Sequence, residues 1–155
     1  MPTVAESVHI RASLAEAWEL YFDPDTWPAW VDGFARVESA SGYPKRGGSL
    51  RWRSTPAGRG EVTERVLEHE PRTRHRVAFS DPGSDGELET AFAIEASPGA
   101  EQGVVVRQEL TYRVRGAGPL TRLTDVFFIR PQVTRSLRRS LEHLRVEVEE
   151  LAAAS

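Results

Sequence analysis

Polar side chains on otherwise apolar strand faces are the residues of this chain that could do chemistry. His75 has the parity of Val77 and Phe79, so we expect it to face inward, where a neutral imidazole can act as a general base or polarise a ligand carbonyl. Gln108 and Tyr112 share one face of a later strand that otherwise carries Val and Leu. Ligand pockets commonly hold a few such groups in an apolar wall. His75 and Tyr112 are therefore the candidate catalytic residues.

Each of these polar residues also has a structural interpretation, which the sequence leaves open. His75 lies near the start of its strand and could be a hydrogen-bonded core residue. The Tyr112 hydroxyl could reach solvent at the rim of the sheet. Gln108 lies in the middle of its strand, where a buried amide needs partners, and those partners could belong to a ligand or to the protein.

Aromatic and bulky residues supply the apolar part of the candidate site. Trp52 and Phe92 are expected on inner strand faces, as core residues or as a ligand platform, and Trp30 lies in a short helical segment. Pro131 removes one helix hydrogen bond, so we expect a kink or restart there, with the Phe127 half lining the pocket as a gate. The candidate ligand-binding residues are Trp30, Trp52, His75, Phe79, Phe92, Gln108, Tyr112, Phe127 and Pro131.

The sequence lacks the residue spacings that are typical of metal sites, nucleotide sites and serine hydrolases. No His-x-x-x-His or Cys/His spacing predicts a metal site, and no phosphate loop, dinucleotide fingerprint or nucleophile elbow occurs. We therefore expect neither a metal nor a cofactor. Arg138 and Arg145 each have a glutamate four residues later, Glu142 and Glu149. This spacing favours a solvated, ion-paired helix face over a nucleic-acid contact.

Composition sets the broad class of the protein. With 155 residues, we expect one domain spanning 1–155. The formal net charge of −3 and the absence of cysteine argue against nucleic-acid recruitment and against a disulfide framework. No stretch resembles a signal peptide or a membrane span. We expect a cytoplasmic protein without stable membrane insertion, and a homodimer is compatible with the sequence.

The elements that must position these residues follow from apolar periodicity and turn residues. A first strand carries Val4, Val8 and Ile10, and a short helix follows Ser13, which has Glu16 three residues later in a capping-box pattern. A second short helix is expected at 27–30. Extended segments then run over 34–39, 49–54, 61–70, 74–80, 87–95 and 104–114. Hairpin-length connections make this an antiparallel α+β fold.

The last quarter of the chain is predicted to form one long amphipathic helix. From Leu120 onward the apolar residues are three or four apart, at 123, 126, 129, 133, 137, 141, 144, 148 and 151. That spacing makes a continuous apolar stripe, which must be buried on the sheet. A long helix across a curved antiparallel sheet tends to leave a pocket between them.

Several segments resemble one known superfamily. The segment 10–18, Ile-Arg-Ala-Ser-Leu-Ala-Glu-Ala-Trp, resembles the strand-to-helix opening of the START-like polyketide cyclase/dehydrase and lipid-transport superfamily (SRPBCC). Trp27–Trp30 resembles its aromatic second helix, and 66–71 resembles its strand ending in an acidic residue and proline. The resemblance covers nearly the whole chain and implies a bacterial helix-grip protein: a curved sheet of six to seven strands, two short helices and one long C-terminal helix over a hydrophobic cavity.

This fold leaves several functions open, because the superfamily includes binders, cyclases and a chaperone-activator branch. The first hypothesis is the binding of a small apolar molecule, such as a lipid, a quinone or a polyketide-like compound, between the sheet and the C-terminal helix. The second is a cofactor-free polyketide cyclase or dehydratase that uses His75 or Tyr112. We found no convergent carboxylate pair on the inner faces to support it. The third is a chaperone-activator-like interaction module.

Overall fold

The computed structural model describes residues 1–56, 58–95, 103–116 and 129–155. Seven strands form one curved antiparallel sheet in the order β1-β7-β6-β5-β4-β3-β2. Their bounds are Thr3–Ile10 (β1), Phe34–Ser41 (β2), Ser49–Ser54 (β3), Glu61–Glu70 (β4), Arg74–Ser80 (β5), Ser84–Glu95 (β6) and Gly103–Val114 (β7). The helices are α1 (Leu14–Tyr21), the four-residue α2 (Trp27–Trp30) and α3 (Arg130–Ala154), with a short 3-10 turn at Pro24–Thr26. The predicted helix-grip fold is confirmed.

Alternation of apolar and polar residues along the strands gives the sheet one buried face and one solvent-exposed face. In β5 the residues His75, Val77 and Phe79 are buried, whereas Arg76 on the other face pairs with Glu68 and with a glutamate of β6. Because successive side chains of a strand point to opposite faces, apolar residues two apart in the sequence form one apolar layer. The covered layer does not reach the end of β6: Ile94, which has the parity of the buried Phe92, is 56% exposed.

A bulge in β4 changes which side chains face inward. The pairing with β5 shifts between Val66 and Glu68, so the extra residue reverses the alternation beyond that point. As a result His69, which follows the bulge, packs its ring against Trp18 and Phe22 of the inner layer. Alternation alone does not place His69 on the inner face, because it does not reveal the bulge.

The start of α1 is built as its sequence predicts. The Ser13 hydroxyl accepts a hydrogen bond from the Glu16 backbone N–H, and the Glu16 carboxylate accepts one from the Ser13 N–H. This capping box satisfies two of the helix's free N–H groups. It orients α1 so that Ala17, Leu20 and Tyr21 are buried against the sheet.

Helix α3 is held on the sheet by one side of its surface. Leu141, Leu144 and Val148 are buried, and the helix packs against β1, α1 and α2. It begins at Arg130 with Pro131 in its first turn, where a proline lacks only an N–H that the helix would not use. The predicted part of the helix from Leu120 to Phe128, including Phe127 and the proposed gate, lies outside the described residues.

The ion pairs of α3 differ in part from those predicted. Arg145 pairs with both Glu142 and Glu149 along the helix, as its spacing indicates. Arg138 instead pairs with Glu6 of β1, at 3.0 Å, and so satisfies the carboxylate that interrupts the apolar pattern of that strand. Among the described residues, no helix is both long and apolar enough to cross a membrane.

We expect the buried stripe of α3 to carry much of the stability of the fold. Leu144→Ala removes a side chain that is 0% exposed, and should lower the free energy of unfolding by about 2–5 kcal/mol. The matched change Leu151→Ala, at a position 48% exposed on the same helix, should cost less than about 0.5 kcal/mol. Chemical denaturation measures both, and similar losses in the two variants would contradict the assignment.

Candidate functional site

A cavity of about 1110 Å³ lies between the inner face of the sheet and the helices. Residues from α2, from all strands between β2 and β7, and from the first turns of α3 line it. Its walls are mainly aromatic and aliphatic. The apolar lining includes Trp27, Trp30, Phe34, Leu50, Trp52, Val77, Phe79, Leu88 and Leu110.

Most of the sequence-predicted site residues border this cavity. Trp30, Trp52, His75, Phe79, Gln108 and Tyr112 are all lining residues. Phe92 is not among the cavity-lining residues; its ring packs against Trp18 and Tyr21 instead. Pro131 also lies off the cavity wall, although Ile129 and Val133 beside it contribute to the lining. Phe127 lies outside the described residues.

Gln108 belongs to a buried network of three side chains. The Tyr21 hydroxyl lies 2.7 Å from the Thr90 hydroxyl, and the Gln108 amide N–H donates to Tyr21 at 3.1 Å and to Thr90 at 3.3 Å. Burial raises the pKa of Tyr21 to about 12, so this hydroxyl stays neutral. The network gives the amide of Gln108 protein partners, which the sequence could not identify because Tyr21 lies on a distant helix.

His75 is buried among aromatic rings, with Phe22 at 4.8 Å and Tyr43 at 5.6 Å between ring centroids. Its Nδ1 lies 3.0 Å from Nδ1 of His69, and its Nε2 has no partner among the described residues. Burial, and then the neighbouring His69, lower the pKa of His75 to about 3. The imidazole is therefore uncharged at neutral pH, and it is a much weaker base than the sequence alone indicated.

Glu64 is the functional candidate that sequence reasoning missed. It lines the cavity from the middle of β4, and its Oε2 accepts a hydrogen bond from Trp52 Nε1 at 2.7 Å. Burial raises the pKa of this carboxyl, which Trp52 and Arg59 partly offset. The signal was present in the sequence, because Glu64 lies between Val62 and Val66 at a spacing of two.

Tyr43 reaches the same cavity from the loop between β2 and β3. Its ring packs on Phe22, Trp27 and His75, and its hydroxyl has no hydrogen-bond partner among the residues that the structure describes. Burial, followed by the charge of Glu64, raises the pKa of Tyr43 well above its ordinary value. Tyr43 is therefore a neutral hydroxyl that can donate a hydrogen bond.

Two charged residues of the cavity lining, Arg59 and Asp81, are paired with each other. Arg59 binds the buried Asp81 carboxylate at 2.8 Å, and its guanidinium lies 4.9 Å from the Phe79 ring centre and 5.8 Å from that of Trp52. The other Asp81 oxygen accepts hydrogen bonds from the backbone of Gly83 and Ser84. This arrangement orders the turn between β5 and β6.

A second polar cluster fastens α3 beside the cavity. Asp32, just after α2, accepts a hydrogen bond from Ser136 at 2.7 Å and pairs with Arg139 at 3.1 Å. Its backbone N–H donates to Ser140 at 2.9 Å. These four residues, which we call the helix latch, set the distance between α3 and α2.

Chemically, the arrangement is a chamber whose wall surface is mainly apolar and whose lining also includes polar side chains. Among these are a carboxyl (Glu64), a hydroxyl (Tyr43) and a neutral imidazole (His75). In the described part of the chain, no three His, Cys, Asp or Glu side chains group as they would around a metal ion. Such a chamber can bind an apolar molecule and orient it by a small number of hydrogen bonds.

The depressed pKa of His75 predicts a specific loss of stability in acid. An unfolded histidine has a pKa near 6.5, so between about pH 6.5 and about 3 the unfolded state binds a proton that the folded state does not. The free energy of unfolding should therefore fall in this range, by up to about 1.4 kcal/mol per pH unit. Relative to His75→Gln, the wild type should lose stability as the pH drops from 7 to 4.

The control for this measurement is His143→Gln, at an exposed position of α3. Its denaturation curves should parallel those of the wild type at every pH. A constant difference between wild type and His75→Gln across the range would show that His75 does not titrate as described.

Comparison with known proteins identifies the family. The family model described as "Polyketide cyclase / dehydrase and lipid transport" matches residues 1–149. An uncharacterized protein of Mycobacterium tuberculosis is 27% identical over 143 residues, which are 90% of this chain and 80% of the relative.

Solved structures agree on the fold. A protein of Thermus thermophilus has a TM-score of 0.69 at 20% identity, with 99% of this chain and 100% of that chain covered. A START superfamily protein from Mycobacterium smegmatis has a TM-score of 0.62 at 14% identity, with 98% and 97% covered. The START-like resemblance is confirmed, and because the family model spans nearly the whole sequence, this chain belongs to the polyketide cyclase/dehydrase and lipid transport family.

Proposed function

We propose that the protein binds one small apolar, ring-containing molecule in its cavity. Lipids, quinones and polyketide-like compounds are the ligand classes that fit this description. The observation that carries the proposal is the cavity itself, about 1110 Å³ of space walled mainly by aromatic and aliphatic side chains. Ligand pockets in proteins typically measure about 300–1,000 Å³, so the space suits a ligand of several fused rings or a folded chain.

Burial of apolar surface supplies the affinity. A ligand that buries about 300 Å² of apolar surface gains about 7 kcal/mol at roughly 25 cal/mol per Å², before the cost of losing its free motion. In this proposal Trp30, Trp52 and Phe79 form the contact walls. Tyr112 and His75 add polar contacts, while Gln108 acts through the network that fixes Tyr21 and Thr90.

The proposal is tested by native mass spectrometry of gently purified protein, followed by organic extraction. We expect a stoichiometric apolar adduct whose mass identifies the ligand class. Failure to observe any adduct, together with failure of added polycyclic aromatic compounds to bind, would contradict the proposal.

The cavity also bears on the third hypothesis. A chaperone-activator-like module acts through its surface and does not need a cavity, so the cavity favours small-molecule binding over that hypothesis.

Narrowing the cavity should weaken binding without unfolding the protein. Leu88 and Leu110 are opposite one another on β6 and β7 and both line the cavity. The double change Leu88→Trp/Leu110→Trp fills space that the ligand needs, and should lower affinity for an apolar probe at least about tenfold. Leu151→Trp, at the exposed end of α3, is the matched control. Calorimetric titration measures the affinity, and equal affinities in all three proteins would place the ligand elsewhere.

A second candidate function is a cofactor-free cyclase or dehydratase that uses the same chamber. Glu64 favours it, because this cavity carboxyl supplies an acid/base group that the sequence had not indicated. An enzyme of this kind would hold a reactive chain in a folded shape and move a proton at its carbonyl-activated carbon.

His75→Ala and Tyr112→Phe separate the two functions. In an enzyme that uses these groups, turnover of a polyketide-like chain should fall by about 10²–10⁴ while binding persists. In a carrier, both variants should lose at most modest affinity, and neither the variants nor the wild type should convert the compound.

A further inference from the structure

Glu64 is a half-buried carboxyl on the cavity wall, without an ion-pair partner among the described residues. The positive charge of Arg59 partly offsets the rise that burial causes in the pKa of Glu64, but the Arg59 guanidinium is bound to Asp81 at 2.8 Å. Taking a carboxyl out of water is costly unless its oxygens are hydrogen-bonded or paired. The neighbouring inward positions of β4 carry valines, Val62 and Val66, which are fully buried. Packing alone would therefore favour an apolar residue at position 64, and the carboxyl needs another explanation.

The two oxygens of Glu64 have different surroundings. Oε2 is held by Trp52 Nε1 at 2.7 Å, which fixes the orientation of the carboxyl group. Oε1 has no hydrogen bond to any described residue, and Glu64 is a wall residue of the cavity. An oriented acceptor thus faces a space that a ligand would occupy.

Tyr43 supplies a hydrogen-bond donor in the wall of the same cavity. The charge of Glu64 acts on Tyr43 strongly enough to contribute to the upward shift of its pKa, yet the two side chains are not hydrogen-bonded to one another. Both line the same cavity. The wall therefore presents one unsatisfied acceptor and one unsatisfied neutral donor to the same ligand.

We propose that Glu64 and Tyr43 form a recognition site for a hydroxyl group on the ring-containing ligand. Glu64 Oε1 accepts a hydrogen bond from the ligand hydroxyl, and the Tyr43 hydroxyl donates one to the ligand oxygen. This inference rests on the proposed function and adds to it the chemical class of the ligand: a phenol or alcohol on an apolar ring system.

A hydroxyl matches the pair better than other polar groups because it both donates and accepts. A carbonyl only accepts, so it cannot donate a hydrogen bond to Glu64 Oε1. An ammonium group only donates, which leaves the Tyr43 proton unpaired, and the positive charge of Arg59, which acts on Glu64, opposes a second cation.

Such a pair would control specificity more than affinity. Apolar walls discriminate weakly between ligands that differ by one small group, whereas a site whose buried polar groups require a hydroxyl rejects the analogue that lacks it. The unpaired Glu64 oxygen would then cost free energy in the complex with the wrong ligand.

The test compares hydroxypyrene with methoxypyrene, which share a ring system and differ in the hydroxyl proton. Calorimetric titration of the wild type should show hydroxypyrene binding about tenfold more tightly, because methoxypyrene has no proton to donate to Glu64 Oε1. Glu64→Met should abolish the preference, and Tyr43→Phe should reduce it several-fold. Glu64→Gln keeps an acceptor for Trp52 and should reduce the preference by a smaller factor.

Glu61→Gln is the matched control. Glu61 lies on the same strand as Glu64 but pairs with Arg53, so this variant should keep the wild-type preference. If Glu64→Met fails to fold, Tyr43→Phe and Glu64→Gln still decide the question. Equal affinities of the wild type for the two probes, or tighter binding of pyrenecarboxaldehyde or aminomethylpyrene, would overturn the inference while leaving the proposed function intact. Binding of none of the probes would count against both.

Discussion

The burial of the apolar stripe of α3 against one side of the sheet is the contact on which the rest of this structure depends. Leu141, Leu144 and Val148 are almost completely buried, and the helix packs on β1, α1 and α2. Because the helix covers the β1 side, the inner face of the central strands is left facing open space. The helix latch around Asp32 fixes this arrangement, so the cavity is a direct consequence of where the helix docks.

The polar groups in the cavity are of two kinds, and the difference matters for function. Tyr21, Thr90 and Gln108 satisfy one another, which stabilises the wall and makes it rigid. Glu64 and Tyr43 keep unsatisfied hydrogen-bonding capacity towards the cavity. A ligand in the cavity would complete these hydrogen bonds, as the proposed hydroxyl site requires.

Much of the fold could be predicted because its elements are encoded by local patterns. The capping box at Ser13 and the alternation in β5 are short-range signals, and both predictions were confirmed. The orientation of His69 depends on a bulge in β4, and the exposure of Ile94 depends on where the sheet loses its cover. The partner of Arg138 was wrong for a related reason: Glu6 is distant in sequence but closer in space than the predicted helix neighbour.

By itself, the sequence determined the class of structure: an antiparallel sheet with one apolar face, a long amphipathic helix to cover it, and inward positions for His75, Gln108 and Tyr112. Periodicity carries this information because each residue's face depends only on its near neighbours. Only the tertiary structure decided which polar groups are satisfied. It joined Gln108 to Tyr21, paired His75 with His69 and placed Tyr43 and Glu64 in the wall of one cavity. Tyr21 is far from Gln108 in the chain, and the contact between His69 and His75 depends on the bulge in β4, so alternation alone encodes neither contact.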